Sequence, residues 1–322
     1  MKKVKKGSKD SVGILCSVVV LTYKQLDWLP KVLASIVNQS YKNIEIVIAD
    51  DGTPDFDTQK IEELCKIYCS GQNISYLVAH LAENRGTVKN FNNGIMSSHG
   101  EIIIPMAGDN QFWNTSVVEQ IVDSYKRERW LIATGKQMLF CENKELEVRP
   151  YANEICMIKN KNAKKLALRL AIFPCFIGGA VTIYTRKAFE IYGMFDVKYK
   201  LLEDCPYYIK VLQQGGRLAF IDKILIRHNI ELLNYRRNNY LIKDDIRVIN
   251  EILNMEEVLS TREKRMLMYR KQMLMIEAGE EVDLKDKYLD CKIYWLFYRL
   301  VNKIGKEINM FKYKKNVSVK NV

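Results

Sequence analysis

The chain has 322 residues, 48% of them hydrophobic, enough to bury one large α/β core and leave residues for a smaller appendage. Its formal net charge of +12 argues for an anionic partner: nucleic acid, a nucleoside diphosphate and an anionic membrane surface all qualify. Eight cysteines show no C-x-x-C pair and no zinc spacing, which weighs against a zinc module and favours a reduced, cytoplasmic setting.

MKKVKK followed by VGILCSVVVLTY has the outline of a short signal peptide, but no small-residue cleavage site closes the run. Thr22, Tyr23 and Lys24 lead straight into a helical pattern, so a first buried strand at 16–22 is expected. No apolar run approaches the length that spans a bilayer. Asp27 is expected to cap a helix with Leu29, Val32, Leu33, Ile36 and Val37 on one stripe and Pro30 in its first turn. A strand at 44–49 ends in Asp50, Asp51 and Gly52, and is followed by a helix at 57–69 and a strand at 74–79. Next come Asn84, Arg85 and Gly86, a helix at 87–98 with Gly100 as its stop signal, and a strand at 102–106.

Strand and helix alternate four times in the first 110 residues, which predicts a parallel, doubly wound sheet with right-handed crossovers. Asp50, Asp51 and Asp109 then fall at the C-terminal edge of one sheet, where such sheets place their ligands. A helix at 116–128 and a strand at 131–134 precede a stretch, 136–175, that reads as a hairpin and a loop over one face. Gly178 and Gly179 open a strand at 181–184, followed by a helix at 186–192. Glu203 and Asp204 precede a helix to about 214, and a strand at 217–226 runs into Arg227 and His228. Beyond 230 the chain is basic and helical, so residues 1–230 are expected to form the catalytic domain and 231–322 a helical extension. Its last segment, 291–315, sets aromatic and aliphatic residues beside cations, fitting either an interfacial helix or one that docks on the main domain.

In EIIIPMAGDN a buried strand delivers a carboxylate to the sheet rim: Gly108 permits close backbone approach, and Asp109 offers the hard oxygen that Mg²⁺ or Mn²⁺ prefers. Taken alone, Gly-Asp is also ordinary turn chemistry. Its company is more specific. SVVVLTYKQLDWLPKVLASIVNQSYKNIEIVIADDGTPD closely resembles the opening of the family 2 glycosyltransferases, with their apolar strand, T-Y-N, S-I-x-x-Q and V-D-D-G-S. ENRGTVKNFNNGIMSSHGEIIIPMAGDN continues the pattern in order, and the glycine pair, the G-x-F-D turn and the Glu-Asp step match its second half, so that the likeness covers about residues 14–230.

The resemblance implies a GT-A fold, a Rossmann-like, doubly wound mixed α/β sheet. It implies an inverting transfer from a nucleoside-diphosphate sugar, with UDP expected, to a glycan or lipid-linked acceptor in surface polysaccharide assembly. It places Thr22 and Tyr23 at the donor, Asp51 on the pyrimidine base with Asp50 beside it, and Asp109 on a Mn or Mg ion, with His228 as a second ligand. Two departures stand out. Ala107 replaces the first acid of D-x-D, implying a retained metal ligand and a lost ribose contact, and Lys24 replaces the usual Asn, for which the sequence offers no interpretation.

Arg85 and Lys89 are candidates for the diphosphate, a solvated face being the alternative for Lys89. Gly178 and Gly179 are candidates to bring backbone N–H groups to the sugar or acceptor, a β-bulge being the alternative. Asp204, with Glu203 as neighbour and second choice, is the candidate base that accepts the proton of an attacking sugar hydroxyl. Its position at a helix start favours the ionised form, though it equally suits a plain cap. His80 and His99 read as structural. Two other readings stay open: a non-catalytic nucleotide-sugar-binding partner, and a basic nucleic-acid-binding protein, against which the acidic rim argues. A cytoplasmic enzyme, peripheral at the inner membrane face, is expected.

Overall fold

β-Branched and aliphatic residues make up most of β1 (Cys16–Thr22) and β2 (Ile44–Asp50), and both strands are covered on both faces as central strands require. The computed structural model describes residues 13–142, 144–160, 162–230, 239–255, 259–282 and 288–320, with backbone alone for 316–320. Successive side chains of β1 enter different layers. Val18 and Val20 pack with α1 (Leu29–Val37), α2 (Thr58–Cys69) and, farther along the sheet, α4 (Val117–Glu128). Val19 points the other way, toward α3 (Thr87–Ser97). This period of two sorts the helices into two layers around one sheet.

Among the described residues the sheet has nine strands, in the order β3-β2-β1-β4-β8-β6-β9-β5 with β7 paired to β6. The remaining strands are β3 (Ile74–His80), β4 (Ile102–Ala107), β5 (Gln111–Phe112), β6 (Ile132–Cys141), β7 (Lys144–Arg149), β8 (Thr182–Thr185) and β9 (Ala219–Asn229). β1 to β4 are parallel, whereas β8 runs antiparallel to both β4 and β6, and β9 lies parallel to β6. The sheet is therefore mixed.

Several local expectations are corrected. A 3₁₀ turn at Leu26–Trp28 contains Asp27, so Asp27 does not cap α1; Trp28 is the N-cap and supplies no side-chain bond. Gly100 does not stop α3. It lies where the chain crosses β1, and an added Cβ would sit 2.5 Å from Ser17 Oγ. Residues 136–175 contain the expected hairpin, β6 running to Cys141 and pairing with β7, but helices α5 (Ala152–Ile158) and α6 (Ala163–Ile172) stand where a loop was expected. α6 is capped by Asn162, which accepts from Lys165 N, and it buries Leu166, Ala167, Leu170 and Ala171.

α7 (Arg186–Tyr192) and α8 (Asp204–Gln213) follow β8, and the chain beyond β9 forms α9 (Asn239–Leu253), α10 (Thr261–Glu277) and α11 (Leu289–Lys320). These last helices are tied into the core by polar contacts. Arg270 donates to the carbonyls of Leu170, Ala171 and Phe173 at the end of α6 and pairs with Asp245 at 2.9 Å, both side chains being almost wholly buried. Removing one partner of such a pair strands the other charge, at a cost of about 3–5 kcal/mol. On α11, Tyr298 stacks on Phe173 at 3.9 Å, and Asn309 donates to the carbonyls of Val148 and Pro150.

Candidate active site

Strand direction decides where the functional residues fall. The C-terminal ends of β1, β2, β4, β6 and β9 share one edge of the sheet, and the N-terminal end of antiparallel β8 joins them. Thr22 and Tyr23 stand on this edge after β1, Asp50 and Asp51 after β2, Gly108 and Asp109 after β4, Gly178 and Gly179 before β8, and His228 at the end of β9.

Asp50 is fully buried and saturated by the protein: Oδ1 accepts from the hydroxyls of Thr22 and Thr53, and Oδ2 from Thr53 N and, at 3.0 Å, from His80 Nδ1. Thr22 is thereby engaged too, while Tyr23 lies exposed with the Lys24 ammonium 5.1 Å from its ring. Asp51 accepts Arg85 N at 2.8 Å and Gly86 N at 3.0 Å, one on each oxygen, which leaves further lone pairs facing the edge. Burial raises the Asp51 pKa, partly offset by those two N–H groups. The turn it anchors has a shape set by Gly86, whose φ is +88° and where a Cβ would lie 2.6 Å from the Lys200 carbonyl. Arg85 and Lys89 point outward. The Arg85 guanidinium is paired with Glu83 at 2.6 Å on the surface, and Lys89 is exposed.

Gly108 presses against the end of β1, where a Cβ would be 3.0 Å from the Leu21 carbonyl. Asp109 is half-buried, and the next residue, Asn110, is fully buried and joins its loop to β9. Asn110 Oδ1 accepts from Asn229 N at 3.1 Å, which orients the amide so that Nδ2 donates to His228 Nδ1, also at 3.1 Å. The imidazole proton then resides on Nε2. Burial lowers the His228 pKa to about 4, so the ring is neutral at pH 7.

Glu203 and Asp204, half-buried at the start of α8, meet the glycine pair. A Cβ on Gly179 would stand 2.8 Å from Glu203 Oε1 and 3.1 Å from Asp204 Oδ2, so only a bare glycine backbone fits this close against the two carboxylates. Burial pushes both carboxyl groups up, and the neighbouring Asp204 charge pushes Glu203 further. The pair resists carrying two charges at once, and Glu203, pushed up further, is the member that keeps a proton to higher pH.

A sheet edge with a carboxylate after β4 and a glycine pair before β8 lies within a known domain. The Glycosyl transferase family 2 profile covers residues 17–191, more than half of the chain. The chain belongs to that family. It is a glycosyltransferase.

Among its relatives is an uncharacterized glycosyltransferase of Rickettsia prowazekii, 21% identical over 277 residues that make up 84% of this chain and 78% of the relative. Others occur in Rickettsia typhi, 23% identical over 67% of this chain and 64% of the relative, and in Rickettsia bellii, 27% identical over 66% and 29%. Among solved structures, S. aureus TarS 1–349 in complex with UDP-GlcNAc superposes with a TM-score of 0.60 at 17% identity, over 86% of this chain and 78% of that one. The mannosyltransferase PcManGT from Pyrobaculum calidifontis, in complex with GDP-Man and Mn²⁺, gives 0.58 at 13% identity, over 84% and 74%. At these identities the likeness establishes the GT-A fold.

The family's divalent ion finds an uneven welcome in the glycosyltransferase. Asp109 supplies the right kind of oxygen, and among the described residues no cluster of three metal-ligating side chains surrounds it. His228, expected as a second ligand, is neutral and has Nδ1 engaged by Asn110, so Nε2 is the nitrogen it could offer. The sequence reading missed Asn110 and Lys200. Lys200 lies close enough to Asp51 to lower its pKa, and its backbone N–H, with those of Leu201 and Leu202, donates to Asp244 Oδ2 at 2.8–3.2 Å. The available signal for Asp244 was a pair of acids, Asp244 and Asp245, interrupting the apolar stripe of α9.

Proposed function

We propose that this glycosyltransferase moves a sugar, with inversion at the anomeric carbon, from a nucleoside-diphosphate donor, UDP-linked, to a glycan or lipid-linked acceptor of a surface polysaccharide. The observation that carries the reading is the contact of Gly179 with Glu203 and Asp204 on the sheet edge that also bears Asp51 and Asp109. Asp204 accepts the proton of the acceptor hydroxyl as that oxygen attacks the anomeric carbon, while the bond from that carbon to the diphosphate oxygen breaks. Protonated Glu203 beside it adds no second charge.

Donor recognition is assigned to Asp51, whose spare lone pairs suit a ring N–H of the base, and to Lys200 beside it. Thr22 and Asp50 hold the floor of that pocket, with Tyr23 at its rim. Arg85 reaches phosphate by exchanging Glu83 for it. His228, neutral with Nε2–H free of the Asn110 bond, serves as a hydrogen-bond donor to a phosphate oxygen. Asp109 would hold the family's Mn²⁺ or Mg²⁺, which would supply counter-charge to the departing diphosphate. The nucleotide sugars bound to TarS and PcManGT support the donor class, and the Mn²⁺ of the latter supports the ion. Residues 1–230 carry this chemistry, and 231–322 support it.

A panel of UDP-, GDP-, CMP- and dTDP-sugars tested by thermal shift, with and without Mn²⁺, examines the reading. A donor at one hundred times its Kd stabilises by about 2.7 kcal/mol through mass action. The expected result is a rise in Tm with a UDP-sugar that grows with Mn²⁺ and loses that increment in Asp109→Ala. No shift with any nucleotide sugar would remove the proposal.

A further inference from the structure

α11 has two apolar faces, and the fold uses one. Cys291, Tyr298, Gly305 and Asn309 turn inward onto α5, β7 and Phe173. On the opposite face Ile293, Leu296, Phe297, Leu300, Ile304 and Phe311 recur at helical spacing and are 54–71% exposed, an apolar stripe running along most of a 32-residue helix. At 1.5 Å per residue such a helix extends about 48 Å. Among the described residues no helix is long and apolar enough to cross a membrane, whereas a one-sided apolar stripe suits a helix lying in an interface plane.

We propose that this face of α11 rests on an anionic lipid bilayer and holds the sheet edge next to lipid-anchored acceptors. Charge selects the partner. Lys292, Arg299, Lys303 and Lys314 follow one border of the stripe and are exposed, four cations against exposed Glu307, while the nearby acid Asp290 is paired with Arg265. A second copy of the chain offers no complement: an antiparallel pair sets the Lys292–Lys303 border against itself, and a parallel pair sets it against the border carrying Lys312 and Lys315. A coiled-coil seam through Phe297, Ile304 and Phe311, with Ile293, Leu300 and Glu307 as its alternating set, also places that acid at an interior position. Anionic headgroups meet the cations, and the interfacial region takes the apolar side chains.

The orientation suits the chemistry. The Tyr313 ring packs edge-on against Trp113 at 5.9 Å, four residues past Asp109, and its hydroxyl donates to Glu145, so α11 runs close to the active edge at its C-terminal end. The acceptor half of this inference rests on the function proposed above. The lipid-binding half stands without it.

The test is co-sedimentation of the full chain with vesicles of phosphatidylcholine alone and of phosphatidylcholine with phosphatidylglycerol, without donor or acceptor, so that its outcome is separate from transferase activity. Binding to the phosphatidylglycerol vesicles that weakens with salt is expected. Phe297→Glu with Ile304→Glu should abolish it, and Lys292→Glu with Arg299→Glu and Lys303→Glu should reduce it by about ten-fold or more. Thermal unfolding and turnover on a soluble acceptor should be unchanged in both variants, since all five side chains are exposed. Equal binding to both vesicle types, binding that survives both sets of substitutions, or a dimer in sedimentation velocity that the Phe297→Glu, Ile304→Glu variant dissociates would overturn the proposal.

Discussion

Glu203 and Asp204 are adjacent acids whose environments drive their protonation apart, the pattern by which one site obtains a base at neutral pH. A carboxyl group raised on folding takes up a proton as the chain folds, so its contribution to stability is fully present below the unfolded pKa and fades as pH rises through the folded value. Stability of the wild type should therefore fall as pH rises from the ordinary carboxylate range, and Glu203→Gln should flatten that slope, as measured by Tm at several pH values. The activity consequence has the opposite sign. Turnover should rise with pH through the raised Asp204 range, and Glu203→Gln should retain turnover while moving this limb little, because amide and protonated acid are alike in charge. An unchanged stability slope in Glu203→Gln would show that Glu203 is not protonated in the fold. These acids, Asp109 and the glycine pair were legible because their neighbours in sequence supply their setting. Asn110 and its bond to His228 were not, since that bond joins residues 118 positions apart. Lys24 gains an explanation in the backbone: its φ of 59° lies in the left-handed region, which asparagine tolerates better than lysine.

Among the elements, α9 has more influence on the site than its distance in sequence implies. Asp244 Oδ2 gathers three successive backbone N–H groups from Lys200 to Leu202, the segment that delivers Glu203 and Asp204 and whose Lys200 carbonyl accepts from Val88 N at the head of α3. One carboxylate thus fixes the base and the donor turn relative to each other. Asp244→Ala leaves those donors without an acceptor, and a buried unsatisfied donor costs about 1–3 kcal/mol. Denaturant unfolding should register a loss of that order or more, and turnover should fall more than donor KM rises. Asp244→Asn, keeping one oxygen, should recover most of both. Equal loss in Asn and Ala variants would assign the role to charge alone. Such contacts were hidden from the sequence because their partners are peptide groups, which every residue has. The strands of the first half were legible from their runs of apolar residues, whereas α6 was not: its stripe is short, and it follows a hairpin whose first strand, β6, continues well past the predicted one.

At the scale of the whole molecule, one sheet edge collects the chemistry and the helices of the C-terminal third brace it from behind, through Asp244 on the loop, Arg270 on the end of α6 and α11 on Phe173. On the functions proposed, part of the net charge of +12 would serve an anionic donor, through Lys200 and Arg85, and part the cationic border of α11. Everything proposed for the edge depends on Asp204 acting on the acceptor and not on donor binding. The direct measurement is release of nucleoside diphosphate from the bound donor by wild type and Asp204→Asn, with donor affinity followed by calorimetry. Affinity should hold within a few-fold while turnover falls by about two to four orders of magnitude, the usual worth of a general base. Turnover close to wild type in a folded Asp204→Asn protein would contradict the account.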